Sequence, residues 1–258
     1  MLTEVTGLVL KSVNVGEADR LITVFTKEMG TVTAMVKSAR SLKSRKMSST
    51  QQFCYSNMIL YQKGDKYWVK ESSLIESFFG LRSSIEALSL AGYIVEVLSD
   101  VTTAEAEADL LRLALNSLYA IAENMYPPDK IKAAFEIRAT AIIGFMPDVL
   151  TCRDCNTGVG EFFFDIMGGN IQCYSCRDKA VKEGRDIPDS DERRIVTILS
   201  EGAKIALGYC VHCPLERLFA FNITDEDMRL FCRAAEEYIL NQLERSFKSL
   251  EFYKEVKR

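Results

Sequence analysis

Four cysteines in two close pairs constrain the fold of this chain more than any other feature of its sequence. The stretch CRDCNTGVGEFFFDIMGGNIQCYSC places Cys152-x-x-Cys155 and Cys173-x-x-Cys176 around seventeen residues that include three consecutive phenylalanines and a Gly-Gly pair. A C-x-x-C turn can present two thiolates to one ion, and two such turns complete the tetrahedron that zinc prefers. The phenylalanines favour strands and the glycines favour a turn. The stretch therefore predicts a small hairpin stabilised by a bound metal ion.

One zinc ion held by all four cysteines is the predicted cofactor, and a redox or disulfide arrangement is the alternative. Four thiolates fill the tetrahedral shell and leave no position for water or substrate, so the site is expected to be structural rather than catalytic. The metal would replace a core that so short a segment cannot build alone. A further C-x-x-C, Cys210 to Cys213, has no matching pair nearby in sequence. We interpret those two residues as packed thiols.

The composition favours a globular protein without a catalytic centre. The chain has 258 residues, of which 48% are hydrophobic and 26% charged. Its first residues do not resemble a signal peptide, and no apolar run approaches the ~18 residues that cross a bilayer. We therefore expect a soluble, cytoplasmic protein whose cysteines are thiols or metal ligands. A single histidine and the lack of a P-loop motif argue against common hydrolytic sites, and no catalytic residue is predicted.

Positive charge is concentrated near the N-terminus of an otherwise acidic chain. Residues 1–80 hold eleven Lys or Arg and seven Asp or Glu, whereas the whole chain has a net charge of −4. The segment VKSARSLKSRK, residues 36–46, contains five cations and no acid. Such an excess predicts a localised anionic partner, and a solvated charged loop is the alternative. Nearby aromatic residues would add stacking surfaces for a nucleic-acid strand, unless they pack in the core: Tyr55, Tyr61, Tyr67 and Trp68.

The hydrophobic period changes from strand-like to helical near residue 80. Five short, β-branched segments predict a small closed antiparallel barrel, of which the oligonucleotide-binding (OB) barrel is the best-known five-stranded example. They span residues 6–13, 20–26, 30–36, 54–61 and 66–78. This pattern does not determine the topology of the barrel, that is, the order in which its strands pair. Beyond residue 80, capping boxes are expected to open helices at Ser83, Thr102 and Thr224, and a helix is expected over residues 191–209.

Three stretches, in order along the chain, resemble the RecO family of recombination mediator proteins. They are GEADRLITVFTKEMGTVTAMVKSAR (residues 16–40), FEIRATAIIGFMPDVLTCRDC (135–155) and FFFDIMGGNIQCYSC (162–176). The resemblance implies an α+β fold, with an N-terminal five-stranded OB-fold β-barrel followed by an all-α domain carrying an inserted four-cysteine zinc ribbon. The expected domains are the barrel at 1–80, the helical domain at 81–150 and 179–258, and the zinc ribbon at 151–178.

The resemblance also implies a function without catalysis. Family members bind single- and double-stranded DNA, anneal complementary strands coated by single-strand-binding protein, and help load RecA together with RecR and sometimes RecF. A nucleoid-associated cytoplasmic protein is therefore expected. An RNA-binding OB and zinc-ribbon module is the alternative function. A metal-dependent nucleic-acid hydrolase and a pure protein scaffold are further alternatives.

Site residues follow from the motif match. The family's basic DNA-binding loop corresponds to Lys37, Arg40, Lys43 and Arg45, and the predicted DNA-binding set also includes Lys46 and Arg20. The zinc ligands correspond to Cys152, Cys155, Cys173 and Cys176. Arg138 is placed where the acidic C-terminal tail of single-strand-binding protein docks. Ser38 stands where the family commonly has glycine, which predicts a stiffer loop.

Overall fold

A computed structural model describes residues 2–41, 44, 46–184 and 195–257 of the chain. By their internal contacts the residues divide into two compact units: unit 1, Met1–Met125 with Phe247–Arg258, and unit 2, Tyr126–Ser246. The division into four domains expected from the sequence stays a prediction. None of the helices in the described ranges combines the length and the apolar character needed to cross a membrane.

Five strands of unit 1 close into a barrel with the order β1-β2-β3-β5-β4. They are β1 (Leu2–Val15), β2 (Asp19–Thr26), β3 (Gly30–Val36), β4 (Tyr55–Lys63) and β5 (Lys66–Glu76). All neighbouring strands are antiparallel except β3 and β5, which run parallel. A short helix, α1 (Lys46–Ser49), lies in the connection between β3 and β4. The predicted five-stranded, OB-like barrel is confirmed.

Alternating side chains build the barrel wall. The inward positions carry mostly β-branched residues, which suit a pleated surface and fill a dry core; they include Val5, Val9, Ile22, Val24, Val32, Val36 and Val69. The register between β1 and β2 shifts by one residue between Val9 and Lys11. This bulge reverses the alternation in β1, so that Lys11 and Val13 are exposed on the outside.

Seven further α-helices occur in the described part of the chain. They are α2 (Ile85–Val101), α3 (Ala108–Ala122), α4 (Pro128–Ile142), α5 (Tyr174–Lys182), α6 (Glu201–His212), α7 (Asp225–Gln242) and α8 (Lys248–Val256). In unit 1, α8 packs on α2, where the rings of Tyr93 and Phe247 meet edge to face at 5.8 Å. In unit 2, α4, α6 and α7 pack against one another around buried side chains such as Phe135 and Phe231.

The helix starts test the capping predictions. Thr224 caps α7 as predicted, because its hydroxyl accepts a hydrogen bond from the Asp227 N–H at 3.2 Å. The cap of α2 is Ser84, one residue after the predicted Ser83. The prediction at Thr102 is wrong, since Thr102 ends α2 and its hydroxyl donates to the Leu98 carbonyl. A threonine hydroxyl can serve either helix end, and only the packing of α2 decides which.

A three-stranded sheet in unit 2 has the order β7-β6-β8. Its strands are β6 (Phe162–Asp165), β7 (Asn170–Cys173) and β8 (Val196–Leu199). The helix predicted over residues 191–209 is therefore wrong at 196–199, while 191–194 lie outside the described residues. The run VTIL is mostly β-branched and pairs with β6, and α6 begins only after Ser200, whose hydroxyl accepts the Ala203 N–H.

Candidate metal centre and nucleic-acid interface

The two predicted cysteine pairs come together in unit 2. The four Sγ atoms all lie within 4.8 Å of one another, and those of Cys155 and Cys173 are 3.7 Å apart. A tetrahedron with metal–sulfur bonds of ~2.3 Å has edges of ~3.8 Å, close to that separation. A disulfide would require ~2.05 Å between sulfurs. The cluster could therefore hold one metal ion, and four thiolates are the donor set of structural zinc.

Backbone hydrogen bonds position both pairs. The turn at the first pair is closed by the Asn156 N–H donating to the Cys152 carbonyl at 2.9 Å, and Asn156 adopts a left-handed φ of 59°. The Arg153 N–H donates to the Ile171 carbonyl at 2.9 Å, which fixes the turn to β7. Cys173 ends β7 and immediately precedes α5, whose first turn carries the fourth cysteine. The four cysteines thus come from a turn, the end of a strand and the start of a helix.

Hydrogen bonds to its sulfur favour the thiolate form of Cys152. The Sγ of Cys152 accepts from the N–H groups of Cys173 at 3.3 Å and Asp154 at 3.5 Å. Burial opposes ionisation of Cys152, but backbone donors from Cys173, Asp154 and Cys155 outweigh it and lower its pKa from 9.0 to about 7. Burial raises the pKa of Cys173, and the thiols of Cys155 and Cys173 raise that of Cys176. Cys173 and Cys176 are expected to lose their protons as a metal binds.

The hairpin beside the cluster packs on α7. Gly169 in its turn has φ of 62°, and a Cβ there would lie 2.7 Å from the Tyr238 hydroxyl oxygen, so only glycine fits. The rings of Phe164 and Tyr238 are 5.2 Å apart. Because β8 adds a third strand to the predicted two-stranded hairpin, the metal cluster is part of a larger packed sheet.

The predicted DNA-binding cations that the structure describes divide into exposed and half-buried residues. Lys37 and Arg40 are exposed just after β3, whereas Arg20 and Lys46 are half-buried. Lys43 and Arg45 lie outside the described residues. The sequence prediction grouped all six because it could not tell which cations are half-buried.

Arg20 and Lys46 make contacts within the barrel. The Nη1 atom of Arg20 donates to the Met47 carbonyl and the Thr50 hydroxyl, both at 3.1 Å. Burial, with the nearby Arg40 charge, lowers the pKa of Arg20. Lys46 begins α1, and its Nζ lies 3.4 Å from the Val69 carbonyl. These contacts fix α1 to the barrel wall, so both residues support the fold directly.

The segment that carries the exposed cations is held against the β1–β2 turn. The Ser38 N–H donates to Asp19 Oδ1 at 2.8 Å, and the Arg40 N–H donates to the Ala18 carbonyl at 3.0 Å. Arg40 Nη1 also donates to the Glu17 carbonyl at 3.0 Å. Ser38 has a left-handed φ of 53°, which costs a residue with a side chain about 1 kcal/mol or more. That conformation explains why glycine suits this position.

Two aromatic rings lie on the outside of the barrel next to Lys37. Trp68 and Tyr61 are stacked, with ring centroids 6.3 Å apart and planes inclined by 16°. The Nζ atom of Lys37 lies 5.0 Å from the Trp68 centroid, within the range of a cation–π contact. Tyr67 instead packs against the barrel core. Tyr55 is half-buried, and burial followed by the Glu28 charge raises its pKa.

Strand register also aligns surface residues that the sequence prediction missed. Leu21 pairs with Met35, Met35 with Trp68, and Trp68 with Tyr61; these four half-buried residues form the outer band. Beside it, Lys11, Lys66 and Lys63 form the lysine row, all exposed. In the sequence, the alternation of side chains within a strand indicates which residues point outward. The bulge in β1 and the parallel β3–β5 pairing, which align the rows, have no marker in the sequence.

Arg138, predicted to bind an acidic tail, lies on α4 in unit 2, and its side chain contacts the C-terminal end of α6. Its Nε donates to the Cys210 carbonyl at 2.7 Å, and its guanidinium also donates to the Cys213 carbonyl. A cation on the last carbonyls of a helix complements the helix dipole, so Arg138 stabilises this helix end. Cys210 is buried, and burial raises its pKa. The docking of a partner at Arg138 stays a prediction.

Comparison with known proteins agrees with this architecture. Residues 1–78 match the family model "Recombination protein O N terminal", and residues 82–251 match "Recombination protein O C terminal". The chain belongs to the RecO family. The predicted resemblance is thereby confirmed, and the chain is a member of a family of DNA repair proteins.

Several relatives match this chain along almost its whole length. The "DNA repair protein RecO" of Acetivibrio thermocellus is 34% identical over 98% of this chain and 96% of its own. Proteins of the same description from Desulforudis audaxviator and Alkaliphilus metalliredigens are 29% and 27% identical, over 97% and 99% of this chain and 95% and 100% of their own lengths. The matched ranges therefore extend over both the barrel and the helical part of the chain.

Proposed function

We propose that this RecO family chain is a recombination mediator that binds single- and double-stranded DNA and anneals complementary strands. It helps RecA load onto strands coated by single-strand-binding protein, together with RecR and, in some settings, RecF. It acts in the cytoplasm on nucleoid DNA. The observation that supports this proposal most strongly is the pair of exposed cations next to β3 of an OB-like barrel: Lys37 lies beside Trp68, and Arg40 is hydrogen-bonded to the β1–β2 turn.

The mechanism is electrostatic. Two DNA strands repel each other through their phosphates, and cations on one protein surface that engage both strands reduce that repulsion. The basic loop (residues 37–45) carries Lys37, Arg40, Lys43 and Arg45 in one short segment. Its hydrogen bonds to the β1–β2 turn hold the backbone of residues 38 and 40 before DNA arrives, so less ordering is needed on binding. Phosphate contacts carry no sequence information, which suits a protein that anneals any complementary pair.

Zinc has a structural role in this proposal. Bound by Cys152, Cys155, Cys173 and Cys176, it would join a turn, a strand end and a helix start into one module. A fourfold thiolate shell leaves no open position for a reacting group. The metal would therefore support the fold, and the proposed mediator works by binding rather than by catalysis.

Partner proteins are assigned to the helical part of the chain. Residues 81–258 carry a net charge of −8, with twenty-one Lys or Arg and twenty-nine Asp or Glu, so they would not compete with the barrel for DNA. Within them, the half-buried Arg138 is the proposed contact for the acidic tail of single-strand-binding protein. The zinc ribbon at 151–178 and the helical parts at 81–150 and 179–258 are the proposed functional domains.

An annealing assay tests the proposed function. Two complementary, unstructured DNA strands that carry a donor and an acceptor dye are each coated with single-strand-binding protein and then mixed. The protein should accelerate duplex formation at low salt, and the acceleration should disappear as salt rises, because phosphate contacts are salt-dependent. Non-complementary strands serve as the control and should give no signal. An annealing rate equal to that in buffer at every salt concentration would exclude the mediator role.

A further inference from the structure

We infer that the outer band binds unpaired bases, and that Lys37 leaves the Trp68 ring for a phosphate when a single strand binds. This inference rests on the proposed DNA binding and adds a second contact surface to the basic loop. The barrel would then bind DNA in two ways. Its cations engage any DNA, whereas the apolar band engages only strands whose bases are unpaired.

The outer band is a continuous surface across four strands. Its members follow one another through direct cross-strand pairs from β2 to β4, and each is flanked in its own strand by side chains of the opposite face. Met35, for example, lies between Ala34 and Val36, which are 1% and 0% exposed. Neighbouring strands are ~4.8 Å apart, so the band extends over roughly 14 Å from the first strand to the fourth. Several consecutive bases could contact a surface of that length.

The charge beside the band matches a nucleic-acid backbone. Lys11 pairs with Thr23, Thr23 pairs with Thr33, and Lys66 pairs with Lys63. The parallel pairing of Ala34 with Tyr67 places Thr33 next to Lys66, so threonines connect the members of the lysine row. The row therefore offers cations and hydroxyls along one side of the band.

The opposite flank of the band differs. Ile59 of β4 pairs with Glu4 and with Glu71, so acids accompany that side. Two exposed cations also lie on that flank: Lys37, whose Nζ is over the Trp68 ring, and Lys70, two residues after Trp68 in β5. The backbone is expected to follow the lysine row, whose cross-strand partners include no acid, with its bases turned towards the band. Lys37 would then meet a phosphate where the strand passes from the band to the basic loop. An apolar protein partner would not need exposed cations on both flanks of the band.

Unpaired bases suit the band because aromatic side chains stack on them. Stacking is tolerant of sequence, since every base has a π face. In a duplex the base faces are already stacked on each other and are not accessible from outside. Trp68 and Tyr61 should therefore contribute to binding of single strands and leave the binding of duplex DNA unchanged, while the basic loop contributes to both.

Lys37 occupies the stacking surface in the unbound protein. Its ammonium group lies over the Trp68 ring at 5.0 Å from the centroid, where a base would otherwise stack. A phosphate attracts the ammonium more strongly than a ring does, so an arriving strand exchanges one contact for the other. Trp68 is the single tryptophan of the chain, and its fluorescence should report this exchange directly.

The test compares Trp68→Ala and Tyr61→Ala with the parent protein, using a fifteen-nucleotide oligo-dT strand and a duplex of equal length. Each variant should bind the strand roughly 5- to 150-fold more weakly, the range for loss of a stacked base, and bind the duplex as the parent does. Trp68→Phe should retain most of the affinity. The salt dependence should not change, because no phosphate contact is removed. In the parent, oligo-dT should change the Trp68 fluorescence more than the duplex does, because only an unpaired base stacks on the ring.

A matched control is Tyr119→Ala, which removes an aromatic side chain that is 50% exposed on α3 of the same unit. It should leave both affinities unchanged. Equal weakening of strand and duplex by Trp68→Ala, or no weakening of either, would overturn the inference while the proposed DNA binding stands. If the parent binds neither DNA, the proposed function itself fails, so the two failures are distinguishable. Melting temperatures equal to that of the parent exclude unfolding as the cause.

Discussion

Reversing the charges of Lys37, Arg40, Lys43 and Arg45 together should abolish strand binding and annealing while the fold is retained. Each phosphate contact on a single strand contributes ~0.7 to the salt dependence, or about 1 kcal/mol at 0.1 M salt. Loss of four contacts should therefore weaken binding by on the order of a thousandfold. The described members of the set, Lys37 and Arg40, are exposed, so the substitutions should not disturb the barrel core. Fluorescence anisotropy and the dye-labelled annealing assay measure the two effects.

A control variant should distinguish a local site from a change in total charge. Lys27, Arg217, Arg229 and Lys248 are also two lysines and two arginines, and all four lie outside the basic loop. Reversing them gives the same net charge as the loop variant. The control should bind and anneal nearly as the parent does. If both variants lose binding equally, or if the loop variant anneals like the parent, then the assignment of the loop is wrong.

Cys173→Ser should remove the metal and destabilise unit 2. The parent should co-purify with one equivalent of zinc, and the variant with little, because a hydroxyl is a poor replacement for a thiolate in a closed shell. Loss of the ion should cost several kcal/mol of local stability, and about 3 kcal/mol corresponds to a decrease in Tm of roughly 6–12 °C. Elemental analysis and a thermal melt are the measurements. Acidification should also release zinc, because protons compete with the metal for the thiolates.

Cys232→Ser is the matched control for the metal site. Cys232 is half-buried outside the cluster, and its thiol lies 3.6 Å from the Asp129 carbonyl, a bond that a serine hydroxyl can replace. It should retain full zinc and nearly the parent Tm. Stoichiometric zinc in a variant that lacks all four clustered cysteines would disprove the metal assignment.

The barrel and the cysteine cluster could be predicted from the sequence because each has a local signature. The strand β3 follows from a β-branched run between a glycine and the basic segment, and its bounds agree with the prediction at both ends. The cysteine pairs have the spacing that a tetrahedral metal requires, and their sulfurs are close together. In both cases the determining interactions lie within a few residues of each other along the chain.

The parts that could not be predicted depend on distant residues. The strand at Val196–Leu199 forms because β6 offers a partner edge about thirty residues earlier in the chain. The sequence predicted Arg20 and Lys46 to be DNA-binding cations. In the structure they donate hydrogen bonds to carbonyls of α1 and β5. The lysine row needs a bulge in β1 to bring Lys11 outward. Each of these features follows from register and packing, which a single sequence does not encode locally.

The central claim is that a cluster of barrel cations binds DNA backbones irrespective of base sequence. Its most direct test is a salt titration of binding to a short unstructured strand. With ~0.7 per phosphate contact, the four loop cations predict a slope of log K against log salt of about −2.8, and the lysine row would make it steeper. Strands of different base composition should give similar slopes. No association in dilute buffer, or affinity that does not change with salt, would contradict the account.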